Sequence, residues 1–258
     1  MPDGDVFTIV DLTSHRRAIQ SARALRPSSA ESGVTAARDA DRCRMGGARC
    51  KLAQSMKISV FAGDLCDVHA DALCTSTNPR LSLAMGSGAS IRGRGGDRIL
   101  RACEEIVNAE FRRSGQHGLP AGSVHATTAG NLPSKLIAHC IASDAAHHSS
   151  ADIIRSCVKN ALALADRSGC TSIAMPLLGT GHARFNFDQA VLAMAETLRD
   201  AATAVQHVFI VVYDPERADD VVRLIHSVIP AAEVDVQRGP DTNDEAVGMW
   251  SAGWDALS

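Results

Sequence analysis

Two hydrophobic patterns alternate along the chain from Met56 onward. One is a short, nearly continuous apolar run, and the other is a longer run in which apolar residues recur every three or four positions. The stretches KISVFAGDL, ADALCTSTN, LIAHCIAS and HVFIVV are almost continuously apolar, and GSVHATTAG and TSIAMP are shorter strand-like runs. These patterns predict six strands, most of them buried on both faces. Between the strands, apolar residues recur every three or four positions in GDRILRACEEIVNAEFRRSG, SADIIRSCVKNALALADRSG, NFDQAVLAMAETLRDAAT and ADDVVRLIHSVI. This spacing predicts four amphipathic helices.

The residues at the helix ends support these assignments. Ser150 precedes the second predicted helix and is a good N-cap, while Gly115 and Gly169 follow the first and second helices, where glycine commonly ends a helix. Strands that alternate with helices predict an α/β fold. We therefore expect a three-layer α/β/α sandwich with a mixed, mostly parallel central sheet over residues 56–230.

The two flanking segments have a different composition. Residues 1–55 are rich in Arg, Ala, Ser and Gly and poor in large apolar side chains, which predicts a disordered N-terminal extension. Translation that starts at Met56 is an alternative explanation of this region. Residues 231–258 are predicted to form a polar C-terminal tail, in which Trp250 and Trp254 form either a weak helical face or part of a frayed end.

Composition and charge exclude several functional classes. The formal net charge of −3 argues against a broad nucleic-acid-binding surface. No apolar run reaches the roughly 18 residues of a membrane span, so no membrane association is expected. None of the eight cysteines forms a Cys-x-x-Cys pair, so neither a metal site nor a redox dithiol is predicted. We expect the cysteines to be buried free thiols, as in a cytoplasmic protein. We also expect the protein to be a monomer.

Several polar or glycine-rich segments follow predicted strands. Asp64, Asn78 and Tyr213 each follow a strand, as does the segment Gly179, Thr180 and Gly181. In open α/β sheets, ligands bind outside the carboxyl ends of the strands. The stretch LAMGSGASIRGRGG, residues 83–96, comes shortly after Asn78, and it is either a flexible surface loop or a cradle of backbone amides.

Two clusters of backbone amides suit two phosphate groups. Successive N–H groups near a helix N-terminus form a positive concavity, and glycine lets the backbone approach an anion closely. Asp64 can accept a hydrogen bond from an exocyclic amino group such as that of adenine, and Asn78 suits ribose hydroxyls. Together these residues predict a site for a nucleoside diphosphate that carries a second sugar.

The order of the motifs resembles the macro domain family. FAGDL, ADALCTSTNPRL, GSGAS, LPAGSVHATTAGNLPSKLIAHCIAS and SIAMPLLGTGHARFNFDQAV are similar to its stand-alone prokaryotic members over about residues 56–228. The resemblance implies ADP-ribose, or an ADP-ribosylated macromolecule, as the partner, with no cofactor. Nucleic acid is then expected only as a modified target.

The resemblance also implies a role for each position of the site. Asp64 would bind the adenine amino group, the Leu65 backbone an adenine ring nitrogen, and Asn78 the distal ribose. Phe185 and Tyr213 would form walls of the cleft. The two phosphate loops would comprise Gly86, Ser87, Gly88, Ala89 and Ser90 in the first, and Gly179, Thr180, Gly181, His182 and Ala183 in the second.

The sequence departs from the family at the residues that hydrolases use. Ser90 stands where hydrolase members often carry an aspartate, and Ala183 where another branch carries one. Asn78, which could orient a water, and His182, a candidate base or a polar rim residue, remain the catalytic candidates. The sequence therefore predicts an ADP-ribose-binding module. The alternatives are an ADP-ribosyl hydrolase or O-acetyl-ADP-ribose deacetylase of the same fold and, more distantly, a regulatory domain that binds RNA or poly-ADP-ribose.

Two further features have open interpretations. Arg92 and Arg94 could pair with a phosphate or with an acidic group of a target, or they could belong to a solvated helix start. The segment DAAHHSS, residues 144–150, is predicted to be a solvated loop near the site rather than a metal site.

Overall fold

Seven strands and five α-helices alternate along residues 56–240, the part of the chain that the computed structural model describes. The predictions for residues 1–55 and for Trp250 and Trp254 lie outside the described residues. The strands are β1 Lys57–Ala62, β2 Ala72–Thr77, β3 Val124–Thr127, β4 Leu136–Ile141, β5 Ser172–Pro176, β6 His207–Val212 and β7 Val234–Arg238. The helices are α1 Gly86–Gly95, α2 Asp97–Ser114, α3 Ala151–Arg167, α4 Phe187–Arg199 and α5 Ala218–Val228.

The strands form a single sheet in the order β3-β4-β2-β5-β6-β1-β7. Only the pairing of β3 with β4 is antiparallel among the described strands, and the other pairings are parallel. The prediction of a mixed, mostly parallel sheet is therefore confirmed.

Two separate cores cover the two faces of this sheet. One core contains Ile154 of α3, Met194 of α4 and Ile225 of α5, all fully buried against the strands. The other contains Ile91 of α1 and Ile99 of α2. The strands β1, β2, β4, β5 and β6 are buried on both faces, which explains their nearly continuous apolar sequences. The predicted three-layer sandwich is therefore confirmed.

The predicted helix ends are present. The Ser150 hydroxyl accepts a hydrogen bond from the Ile153 amide and caps α3. Gly115 ends α2 in the left-handed conformation, with φ 71°. Gly169, with φ 62°, follows the end of α3 in the same conformation. Both glycines adopt a backbone conformation that a residue with a Cβ reaches only at an energetic cost.

The glycine-rich stretch differs from the predicted loop, because residues 86–95 form the helix α1. Tertiary packing explains the difference, since Ile91 of this helix is fully buried. A Cβ at Gly88 would lie 3.1 Å from the Leu83 Cα, and one at Gly95 would lie 2.4 Å from Ile99 Cδ1. These glycines therefore allow close packing of a helix, and packing outweighs their low helix propensity.

The strand β7 lies within residues 231–258, which the sequence predicts to be a polar tail. It extends the sheet by pairing in parallel with β1. Asp235 fixes it there by accepting hydrogen bonds from the Ser59 hydroxyl and, over 3.4 Å, from Lys57 Nζ. As an edge strand with partly exposed faces, β7 has an alternating and partly polar sequence rather than an apolar run.

Residues 56–240 contain neither a membrane-spanning helix nor a candidate metal cluster. No helix there has the length and hydropathy to cross a membrane. Within the same residues, no group of three or more His, Cys, Asp and Glu side chains is placed to hold a metal ion.

Candidate functional site

The sheet order places the predicted site residues along one edge. The strands β2, β5, β6 and β1 are consecutive neighbours, so their carboxyl ends lie side by side. Asn78 follows β2, the loop that begins near Leu177 follows β5, Tyr213 follows β6, and Asp64 closely follows β1. Three strand spacings of about 4.8 Å separate β2 from β1, which is roughly 14 Å. We call this edge, from Asn78 to Asp64, the cleft.

The end of β2 holds two loops of the cleft in place. The buried Thr75 hydroxyl lies 3.1 Å from the Ser87 hydroxyl at the start of α1. One residue further on, the Ser76 hydroxyl accepts a hydrogen bond from the Gly179 amide at 3.2 Å. Sequence analysis did not identify Thr75 or Ser76 as part of the site. The available signal was the polar run Thr-Ser-Thr at the end of an otherwise apolar strand.

The first predicted phosphate loop is the N-terminus of α1. Among the described residues, no hydrogen bond uses the amides of Gly86, Ser87 or Gly88, and Met85 provides no side-chain cap. The Ala89 amide bonds to the Met85 carbonyl, and Ser90 lies in the first turns of the helix. Free amides at a helix N-terminus carry partial positive charge and attract anions.

The second predicted phosphate loop is a tight turn after β5. The Phe185 amide donates to the Gly179 carbonyl at 3.0 Å, and the Arg184 amide donates to the Gly181 carbonyl at 2.9 Å. A Cβ at Gly179, where φ is 75°, would lie 2.8 Å from Ser149 Oγ, so only glycine fits there. The partly buried Phe185 side chain packs against the core and anchors the turn.

The turn leaves several backbone donors available. No hydrogen bond within residues 56–240 uses the amides of Thr180, Gly181, His182 or Ala183. The Thr180 hydroxyl is occupied, since it donates to the Leu177 carbonyl. The second loop therefore has the amide cluster that an anion site requires.

The Asp64 carboxylate is held in a fixed orientation. Its Oδ1 accepts the Cys66 amide at 2.7 Å, which caps the short 3-10 turn Leu65–Asp67. The Ser90 hydroxyl lies 2.7 Å from Oδ1 and 2.6 Å from Oδ2. Because one hydroxyl proton serves both oxygens, Oδ2 keeps lone pairs for a further donor. The Leu65 side chain is buried, and this anchors the Leu65 backbone next to Asp64.

Two titratable side chains near Asp64, Tyr213 and Cys66, are uncharged at neutral pH. Partial burial, together with the Asp64 charge, raises the pKa of Tyr213, so its hydroxyl stays neutral. Burial raises the pKa of the Cys66 thiol to about 11, so this sulfur is not a thiolate nucleophile at neutral pH.

Ser90 and Arg94 have partners that the sequence did not indicate. The contact of Ser90 with Asp64 places its hydroxyl at the Asp64 end of the cleft, whereas the family resemblance implied only that Ser90 belongs to the first phosphate loop. Arg94 forms an ion pair with Asp67, with Nη1 2.6 Å from Oδ1, and lies 3.9 Å from Asp64. Neither a phosphate nor a target protein is required to explain this arginine.

Asn78 marks the other end of the cleft. Its Oδ1 accepts the amides of Arg80, at 3.0 Å, and Ser82, at 3.3 Å. Those bonds assign the oxygen to the turn and leave the Nδ2 group as the available donor. Asn78 therefore offers N–H groups, which suit a sugar oxygen, rather than an acceptor for a water proton.

The loop of residues 144–148 lines a cavity together with Asn78 and contacts the second predicted phosphate loop. Asp144 Oδ1 accepts the amides of Ala146 and His148, at 2.9 and 2.8 Å. The ring of His147 meets the ring of His182 edge-on, with centroids 4.6 Å apart. The sequence predicted a solvated loop near the site, and the structure adds this contact between two histidines.

Backbone strain in the described residues is concentrated around the cleft. Leu81, His147 and Arg184 are the non-glycine residues of that part of the chain with positive φ, at 53°, 61° and 49°. One lies in the Asn78 turn, one in the 144–148 loop and one in the second phosphate loop. Such strain costs about 1–3 kcal/mol per residue and is typical of functional sites.

Comparisons with known proteins identify the family of this chain. The family model described as Macro domain matches residues 74–194. A macro domain-containing protein of Streptomyces nogalater, from the sno 5' region, is 34% identical over 167 residues, which cover 64% of this chain and 90% of that protein. This chain belongs to the macro domain family.

Other macro domain relatives extend the comparison. An O-acetyl-ADP-ribose deacetylase of Citrobacter rodentium is 28% identical over 165 residues, covering 62% of this chain and 90% of that enzyme. A mutant Oceanobacillus iheyensis macrodomain, solved with ADPR, matches with a TM-score of 0.59 at 23% identity. That match covers 66% of this chain and 92% of the solved one, and it confirms the macro domain fold.

Proposed function

We propose that this macro domain binds ADP-ribose, either free or attached to a macromolecule, along the cleft from Asp64 to Asn78. The observation that carries the proposal is the pair of amide clusters that β2 joins through Thr75 and Ser76. Two such clusters side by side suit the two phosphates of a diphosphate. A relative of the same fold, solved with ADPR, supports this assignment.

The two ends of the cleft would distinguish the two halves of the ligand. Asp64 Oδ2 would accept the adenine amino group beside Tyr213, and the Leu65 backbone would meet the ring. At the other end, Asn78 Nδ2 would donate to the distal ribose. The span of roughly 14 Å between β1 and β2 is comparable to the length of such a ligand.

Substitution of Gly181 tests the diphosphate position. A Cβ at Gly181 meets no atom within 4 Å, so Gly181→Val should fold normally while its side chain covers the neighbouring amides. Gly93→Val is the matched control, because a Cβ at this exposed glycine of α1 also meets no atom within 4 Å. Calorimetric titration with ADP-ribose should show at least a tenfold loss of affinity, about 1.4 kcal/mol, for Gly181→Val alone. Equal affinities for the two variants would contradict the proposal.

A second candidate function is hydrolysis of a bond to the distal ribose. The specific observation that favours it is the contact between His147 and His182 next to Asn78. The imidazole nitrogens of this pair can donate or accept a proton, so the pair could serve as acid or base. The Citrobacter rodentium relative, named O-acetyl-ADP-ribose deacetylase, also supports this candidate.

An assay for ADP-ribose released from a modified substrate distinguishes a binding module from a hydrolase. If the histidines act in catalysis, His182→Ala and His147→Ala should each slow release of ADP-ribose from a modified substrate at least a hundredfold. Both variants should still bind ADP-ribose. No release by the wild type, or release that both variants retain, would reject the hydrolytic role.

A further inference from the structure

The strand β7 ends beside the Asp64 end of the cleft. It runs parallel to β1, and its last residue, Arg238, is level with Ala62. The Gly239 amide then donates to the Ala62 carbonyl at 2.8 Å. A Cβ at Gly63 would lie 3.3 Å from the Gly239 Cα, so the two backbones are in close contact. The residues that follow β7 therefore leave the sheet next to Asp64.

The part of the chain that continues from this point carries both tryptophans of the protein. We call residues 241–258 the 241–258 segment, and it contains Trp250 and Trp254. Trp250 comes ten residues after Pro240, the last described residue, and an extended stretch of that length spans up to about 33 Å. Two strand spacings, about 10 Å, separate β7 from β6, which Tyr213 follows. The connection is therefore long enough for Trp250 to reach this whole end of the cleft.

The proposed adenine position next to Asp64 has an aromatic side chain on one side. A purine base has two flat faces, and each face can stack on an aromatic side chain. Tyr213 is 47% exposed and would cover one face, whereas Phe61 is buried in the core. Among residues 56–240, Phe111 is the other exposed Phe, Tyr or Trp, and it lies on α2. The second face of the base is thus left for an aromatic side chain from outside the described residues.

The charges of the 241–258 segment favour contact with the base over contact with the diphosphate. The segment has four acidic residues and neither lysine nor arginine. Phosphates repel these acidic groups, whereas adenine is uncharged. Trp250 lies in the uncharged stretch AVGMWSAG, residues 246–253, whereas Asp255 directly follows Trp254. Trp250 is therefore the tryptophan better suited to meet the base.

Charge at this end of the cleft does not by itself attract the segment. Asp64 and Asp67 are acidic, Arg94 is paired with Asp67, and Arg238 adds one exposed positive charge. The attraction would come instead from the aromatic contact, because a tryptophan ring buries a large area and stacks well on a flat base.

We propose that Trp250 stacks on the adenine of the bound ligand, on the face opposite Tyr213. This inference rests on the proposed function, because it requires adenine next to Asp64. The macro domain model matches residues 74–194, so the 241–258 segment lies beyond the match. The contact would strengthen binding of the adenine half of the ligand and leave the distal ribose untouched.

Tryptophan fluorescence of the full chain tests the contact. Both tryptophans lie in the 241–258 segment, so tryptophan emission reports on that segment alone. Trp254→Leu leaves Trp250 as the single tryptophan, and Trp250→Leu leaves Trp254, so each variant is the matched control for the other. Wild type and variants are titrated with ADP-ribose, with excitation at wavelengths that adenine does not absorb. Calorimetry measures the affinity of the same samples.

We expect ADP-ribose to quench the emission of the wild type and of Trp254→Leu, because stacking on a purine quenches an indole. The emission of Trp250→Leu should stay unchanged. Trp250→Leu should bind ADP-ribose at least about fivefold more weakly than the wild type, whereas Trp254→Leu should bind within about twofold of it.

Two kinds of failure are distinguishable. If calorimetry shows that the wild type binds ADP-ribose, but its emission is unchanged or Trp250→Leu binds as tightly, this inference alone is wrong. Equal effects in the two variants, or an effect confined to Trp254→Leu, would also overturn it. If the wild type fails to bind ADP-ribose, the proposed function and this inference fall together.

Discussion

At the scale of single residues, the Asp64 carboxylate depends on its neighbours for its orientation. The Cys66 amide and the Ser90 hydroxyl both donate to it, so its free lone pairs point in a defined direction. A fixed acceptor selects for a donor at one place on a ligand, which here would be the exocyclic amino group of adenine. Ser90 would then act as a positioning residue in base recognition.

The first prediction separates adenine recognition from general binding. Asp64→Ala should weaken ADP-ribose binding by roughly 1.5–3 kcal/mol, which is the usual effect of losing a hydrogen bond to a charged group. Ser90→Ala should weaken it by about 1 kcal/mol, because the carboxylate loses one of its two fixed donors. Neither change should weaken binding of inosine diphosphate ribose, which has a carbonyl oxygen in place of the amino group, in the same calorimetric titration.

A double variant tests whether Ser90 acts through Asp64. If it does, Ser90→Ala should have no further effect in the Asp64→Ala background. Additive losses, or equal losses with the inosine ligand, would show that Ser90 has a merely structural role.

At the scale of elements, the sequence predicted six of the seven strands, all except β7, and the four longer helices, because each has one dominant period. It did not predict α1, because glycine and arginine give that stretch no apolar face apart from Ile91. The helix exists because Gly88 and Gly95 pack closely against Leu83 and Ile99. A Cβ at Gly95 would also lie 3.3 Å from the Ala129 carbonyl oxygen and 3.3 Å from Leu132 Cδ1. These last contacts join distant parts of the chain, so a local pattern does not reveal them.

The packing of α1 gives the second prediction. Gly130 has φ 61°, and a Cβ there would lie 2.0 Å from the Gly95 carbonyl at the end of α1. Gly115 has φ 71°, but a Cβ there meets nothing within 4 Å. Gly115→Ala should therefore lower the free energy of unfolding by about 1–2 kcal/mol, the cost of a left-handed residue. Gly130→Ala should cost at least about 2 kcal/mol more through overpacking.

Urea denaturation of both variants measures this difference. Equal destabilisation would show that the contact between Gly130 and Gly95 does not constrain α1.

At the scale of the site, the sequence predicted which residues lie at the strand ends, but it did not predict which side chains contact each other. Asp64, Asn78 and the second loop were predicted because residues at strand ends share one edge of a parallel sheet. The sequence could not show that Thr75 and Ser76 hold the two loops, or that Ser90 faces Asp64. It also gave no sign of the contact between His147 and His182, because the two histidines are brought together only by the relative placement of β4 and β5.

At the scale of the whole molecule, two buried histidines link stability to pH. His139 on β4 is fully buried, and its Nε2 lies 2.8 Å from the Thr127 hydroxyl. Burial lowers the pKa of His139 to about 3 and that of its cross-strand neighbour His125 to about 4. Both rings are therefore neutral in the folded protein at pH 5, whereas a histidine in the unfolded chain binds a proton below about pH 6.5.

The third prediction follows from this difference in protonation. Because the unfolded state binds more protons, stability is complete above about pH 6.5 and declines as the pH falls towards the folded pKa values. Between pH 7 and pH 5, each histidine should cost about 2 kcal/mol of unfolding free energy. Urea denaturation at the two pH values should show a pH effect about 2 kcal/mol smaller for His139→Gln than for the wild type. An undiminished pH effect in that variant would reject the role of His139.

The most direct measurement is a crystal structure of the full chain grown with ADP-ribose. The adenine amino group should lie within hydrogen-bond distance of Asp64, and the diphosphate should lie against the free amides of residues 86–88 and 180–183. The distal ribose should lie next to Asn78. ADP-ribose bound elsewhere, or bound here with its phosphates away from both amide clusters, would contradict this placement.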